Sequence, residues 1–151
     1  MRKVDLPVRT LPYVTPPSDE TVLANARAVA LTARLATPAA SAPVDAASLR
    51  LNLASAWMHL ENWDAAVREL TQVEALANGS QLPANVKDAI VGNAQYLLGV
   101  CAARTGDASG AEQAWTKAAA SSGRLMSESG EPLKELAERQ LAELQNRAAP
   151  R

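Results

Sequence analysis

Two stretches of this chain repeat one pattern of small and large apolar residues, and that pattern limits what the chain can fold into. In the first, Leu53-Ala54, Trp57, Trp63, Ala66, Leu70 and Val73 follow one another. In the second, Leu98-Gly99, Ala102, Gly106-Asp107, Ala111, Trp115 and Ala118 do. The copies keep the same internal offsets at a separation of 45 residues, Ala66 to Ala111. Apolar residues three and four apart make one face of a helix, so each copy reads as two helices joined by a short turn. Ala and Gly stand where a large side chain would hold those helices apart. Aromatic residues are only 3% of the chain and Phe is absent, so Ala and Leu carry the apolar surface. Ala has the strongest helix propensity, and the period-two runs of a sheet protein are missing. The expected class is all-α.

Six helices are expected, at about 18–35, 46–60, 63–77, 83–104, 108–121 and 132–147, in one domain over residues 18–151. Ser18 is a suitable N-cap, and Asp19 and Glu20 favour the dipole of the first turn. On this first helix Val22, Ala26, Val29 and Ala33 form an apolar stripe, while Glu20, Arg27 and Arg34 recur every seven residues as a polar one. Asp45 is expected to cap the second helix. Asn78-Gly79 is expected to end the third in the left-handed conformation that Gly adopts readily. Pro83 and Pro132 suit helix starts. Leu133, Leu136, Ala137, Gln140, Leu141 and Leu144 share one face of the last helix.

Residues 1–17 are expected to form a separate extended arm. Pro7, Pro12, Pro16 and Pro17 prevent helix there. Val4, Leu6, Val8, Leu11, Tyr13 and Val14 make the segment more apolar than a solvated tail. The arm is therefore expected to pack on a surface. A partner subunit is the preferred surface, contacted through Leu6, Val8, Leu11, Tyr13 and Val14; the chain's own helices are the alternative.

Fifteen Lys and Arg against sixteen Asp and Glu leave a formal charge of −1, with the signs interspersed. Nucleic-acid binders show a basic stripe instead, so no nucleic-acid partner is expected. Cys101 is the only cysteine, which excludes an internal disulfide and a cysteine cage for a metal. No apolar run approaches 18 residues, so direct membrane insertion is not expected. The arm lacks the apolar stretch of a secretory signal. A cytoplasmic protein is expected, with an exported mature form as the alternative.

The paired helices resemble the tetratricopeptide repeat over residues 45–122. Leu98-Gly99 and Thr105-Gly106-Asp107 stand where that family has its Leu-Gly pair and its Gly-Asp turn. Ala111, Trp115 and Ala118 take the small, large and small places of the second helix, and Gly99 is expected to meet Ala111 at the crossing. In the first copy Ala54 and Glu61 replace the two glycines. The separation of 45 departs from the family's repeat of about 34. The resemblance implies a right-handed α-solenoid of helical hairpins, here with two divergent repeats and flanking capping helices. A plain six-helix bundle is the alternative.

It also implies a groove lined by the first helix of each hairpin. Mapped onto this chain, the groove residues are Leu51, Asn52, Ser55, Met58 and His59 from one hairpin. Asn93, Tyr96, Leu97, Val100 and Arg104 come from the other. Tyr96 and Met58 are the expected anchors, and Arg104 the charged contact. The function implied is a non-catalytic interaction module: an adaptor or accessory subunit that binds a protein or peptide segment without cofactor or metal. A secretion-type chaperone holding an extended client is a second reading. The third is a small-molecule binder or enzyme using His59 and Cys101, the chain's single histidine and single cysteine.

Overall fold

The computed structural model of the chain describes residues 18–36, 42–126 and 130–148. They form six helices: α1 Asp19–Leu35, α2 Pro43–His59, α3 Trp63–Gly79, α4 Ala84–Arg104, α5 Ala108–Ala119 and α6 Leu133–Ala148. No strand occurs among the described residues; one isolated antiparallel bridge pairs Arg124 with Pro132. The protein is all-α. Residues 1–17, including the expected arm contacts Leu6, Val8, Leu11, Tyr13 and Val14, lie outside the described residues.

Each helix packs on the next in sequence, and in addition α2 touches α4 and α4 touches α6. The central cluster joins Ala47, Leu51 and Ala54 of α2 to Ala66, Leu70, Val73 and Ala77 of α3 and to Ile90, Ala94 and Cys101 of α4. A second cluster gathers Ala111, Trp115 and Ala118 of α5 with Ala137 of α6. A third joins Ala28 of α1 to Leu53 and Ala56 of α2.

The two hairpins turn in the same way, residue for residue. Glu61 and Gly106, 45 apart, both take positive φ, 57° and 85°. The next residues cap the return helices: Asn62 Oδ1 accepts from Ala65 N at 3.3 Å, and Asp107 Oδ1 from Gly110 N at 2.9 Å. Asn62 N donates to Trp57 O at 2.9 Å, and Asp107 N to Ala102 O at 2.8 Å. The sequence pattern thus corresponds to a repeated local geometry, with Glu61 adopting the conformation that Gly106 reaches without strain.

Gly99 lies directly against Trp115. A methyl group on Gly99 would overlap the indole, 2.7 Å from its Cε2. The Trp115 Nε1 donates to Tyr96 O at 3.1 Å, which holds the ring over the glycine. At the matching places of the first hairpin stand Ala54 and Leu70, both fully buried. A smaller residue on α4 is matched by a larger one on α5, so each crossing stays filled.

Two boundary expectations and one facial expectation are corrected. Helix α2 starts with Pro43 in its first turn, ahead of Asp45, because proline's missing N–H costs nothing there. Gly79 remains helical, and α3 ends when Ser80 Oγ donates to Leu76 O at 2.5 Å, satisfying a carbonyl that a left-handed glycine would otherwise leave to the backbone. On α1 the stripe Val22, Ala26, Val29 and Ala33 is exposed. Ala24 and Ala28 are buried instead, with Leu31 and Leu35 packed beside them. Both rows have the same 4-3-4 spacing, so periodicity does not choose between them. The leucines remove more apolar area from water, and that row faces α2.

Candidate cleft between the first two helices

Asn52, Ser55 and His59 lie at three- and four-residue intervals along α2 and so share one face. Opposite them α1 presents Leu23, Arg27, Ala30 and Arg34, spaced by the same rule. Between the two helices is a cleft of about 800 Å³, with Ala24, Leu31 and Ala56 also in its lining and Met126 reaching it from the loop before α6. The lining carries Arg27 and Arg34 together with Glu20 and the imidazole of His59. The volume falls in the range of ligand sites, and apolar patches carrying a few directed polar groups are what such sites use.

The loop that delivers Met126 is pinned to α4. Asn93 Nδ2 donates to Ala89 O at 2.7 Å and to Arg124 O at 2.9 Å, while its Oδ1 accepts from Met126 N at 2.7 Å. Asp88 Oδ2 accepts from Ser121 Oγ, Ser122 N and Ser122 Oγ at 3.0–3.1 Å. A buried amide with its donor and acceptor both engaged is a fastening, not a contact offered to a ligand.

Two of the groove residues expected from the sequence are therefore reassigned. Asn93, 1% exposed, holds the loop. Leu51, 5% exposed, belongs to the central core because its side of α2 faces α3 and α4. Met58 and Leu97 are half-buried against that same cluster, and Tyr96 and Val100 against the cluster of α5 and α6. Arg104 is exposed at the end of α4, away from the cleft. Of the ten, Asn52, Ser55 and His59 are brought together. Leu23, Arg27, Ala30, Arg34 and Met126 were absent from the sequence-based set. The seven-residue recurrence of Glu20, Arg27 and Arg34 signalled a shared face on α1, but nothing local signalled Met126.

His59 and Cys101 are not brought together. His59 is exposed in the α1–α2 cleft, whereas Cys101 lies on the floor of a second cleft of about 450 Å³ between α3 and α5, beside Leu98 and Ala102. Burial pushes the Cys101 thiol up to about 11 although a backbone hydrogen bond favours its thiolate. A thiol held protonated is a poor nucleophile. Among the described residues no three His, Cys, Asp or Glu side chains cluster in a way that could hold a metal, and no helix is long and apolar enough to cross a membrane. Compared with profiles of known families, with curated proteins and with solved structures, the chain matches none.

Proposed function

We propose that this chain is a non-catalytic interaction module of tetratricopeptide-like hairpins that holds an extended segment of a partner protein in the α1–α2 cleft. The observation that carries this reading is the cleft itself, bordered on one side by Asn52, Ser55 and His59 and on the other by Leu23, Arg27 and Ala30. Side-chain amide and hydroxyl groups at helical intervals suit the backbone of an extended chain, and the apolar lining suits its side chains. The repeated turn geometry supports the hairpin reading, since Glu61-Asn62 and Gly106-Asp107 perform the same reversal. The separated positions of His59 and Cys101 favour binding over catalysis by that pair. In this reading the chain serves as an adaptor or accessory subunit.

The test is selection of a displayed random-peptide library on the immobilised full chain. Peptides so selected bind the Arg27→Ala/Asn52→Ala/His59→Ala variant about tenfold more weakly, equivalent to ~1.4 kcal/mol. A Val67→Asp change on the opposite side, in the α3–α5 cleft, leaves their affinity unaltered. Peptides that bind the triple variant as tightly as the wild type refute the cleft as the binding site.

A further inference from the structure

Among the described residues, Met126 is the one that borders the α1–α2 cleft without belonging to either helix. Its backbone is held by α4, no described residue of which borders the cleft. Met126 N donates to Asn93 Oδ1 at 2.7 Å, and the Nδ2 of the same amide donates to Arg124 O at 2.9 Å. Further back, Asp88 Oδ2 gathers Ser121 Oγ, Ser122 N and Ser122 Oγ. Two glycines let the loop lie so close to the helix. A methyl group on Gly123 would stand 2.7 Å from Ala89 Cα, and one on Gly92 would stand 2.5 Å from Ser121 Oγ. The loop is also tied across itself, Leu125 N donating to Glu131 O at 2.8 Å and Arg124 Nη1 to Gly130 O at 2.9 Å. Backbone fixed in this way has little freedom left to lose when a ligand arrives.

The side chain of Met126 is not fixed by that scaffold: it is 47% exposed, as is Leu23 of the same cleft at 51%. An unbranched, polarizable thioether on a fixed backbone fits apolar groups of differing shape. Its exposed surface leaves water only when something apolar enters the cleft. A charged side chain placed there would lose hydration without gaining a partner from the thioether. We propose that the cleft selects an extended segment carrying one large apolar side chain (Leu, Ile, Met or an aromatic) seated against Met126. In the same proposal Asp88 and Asn93 are positioning residues, which set this preference through the loop without touching the ligand. Asn52 and Ser55 supply polar groups for the segment's backbone, so the choice of side chain falls to the apolar wall. The inference rests on the α1–α2 cleft as the binding site.

The probes are the tightest peptide selected from the random library on the full chain and a counterpart with its largest apolar residue changed to Ala. The wild type prefers the first by about tenfold, the discrimination that lost methylene groups give in an apolar pocket. Met126→Ala, at a half-exposed position outside the core clusters, lowers the preference to about threefold, the size of a lost thioether contact. Asp88→Ala lowers it equally, because the loop loses its acceptor. Asp88→Asn keeps an acceptor oxygen toward the two serines and retains the wild-type preference. A purely structural role for Asp88 would weaken both peptides alike and leave their ratio unchanged, and that result overturns its part in the proposal. An unaltered ratio in Met126→Ala overturns the whole proposal, whether or not the Asp88→Ala chain folds, as does a selection that yields no peptide with a large apolar residue. Peptides that bind the Arg27→Ala/Asn52→Ala/His59→Ala variant as tightly as the wild type refute the cleft and this inference together. Peptides sensitive to that variant, but with a ratio indifferent to Met126, refute this inference alone.

Discussion

Gly99 and Trp115 show how one residue sets the spacing of a helix pair. The indole lies where a Cβ on Gly99 would be, and its Nε1 is committed to the Tyr96 carbonyl. The ring therefore cannot retreat without losing a buried hydrogen bond. Gly99→Ala is expected to cost about 1–3 kcal/mol through overpacking, despite the better helix propensity of Ala. Denaturant unfolding of the variant measures this, and an unchanged midpoint would mean that the crossing has room. Cys101 is a second residue whose setting has a measurable consequence. In the unfolded chain an ordinary thiol ionises near 9.0, while burial holds the folded one protonated to about 11. Between these values the folded state retains a proton that the unfolded state has lost. The stability linked to this group is complete below pH 9 and falls as pH rises through 11. Stability measured over that window declines more steeply for the wild type than for Cys101→Ala; parallel declines would show that the thiol does not ionise differently in the two states.

At the scale of the element, the two hairpin turns share one conformation but not one residue type. Gly106 enters the left-handed region freely, whereas Glu61 pays about 1–2 kcal/mol for its Cβ there. Glu61→Gly removes that strain and adds unfolded-state freedom, for a net stabilisation of roughly 0.5–1 kcal/mol. Thermal unfolding checks the sign, and a lower melting temperature would show that the Glu61 side chain makes a compensating contact. Much at this scale was legible from sequence: the two helix pairs, the Gly106-Asp107 turn, Ser18 as the first cap, and the buried face of α6. Each depends on residues within four positions of one another. The outward face of α1 was not legible, because its two apolar rows have the same spacing and α2 alone selects between them. The ends of α2 and α3 were misplaced by a few residues, where Pro43 and Ser80 outweighed Asp45 and Gly79.

Among the described helices α4 is the best supported, touching α2, α3, α5 and α6, while α1 touches only α2. Local opening follows such differences in burial. Native-state hydrogen exchange is expected to be slowest at Ile90, Ala94 and Cys101 of α4 and at Leu70 and Val73 of α3. It is expected to be fastest in α1. Equal protection throughout would indicate a single cooperative unit. The sequence by itself determined the all-α class, the repeated hairpin and its turns, because periodicity, caps and glycine placement act within one or two turns of helix. Tertiary structure alone decided which residues border the cleft. Leu51 and Asn93 sit on the same helices as Asn52 and Tyr96, and local spacing made all four equal candidates. Packing of α3 against α2 enclosed Leu51, and the loop before α6 occupied both sides of the Asn93 amide. That loop also brings Met126 beside α1, a meeting of residues more than ninety positions apart that no local pattern encodes.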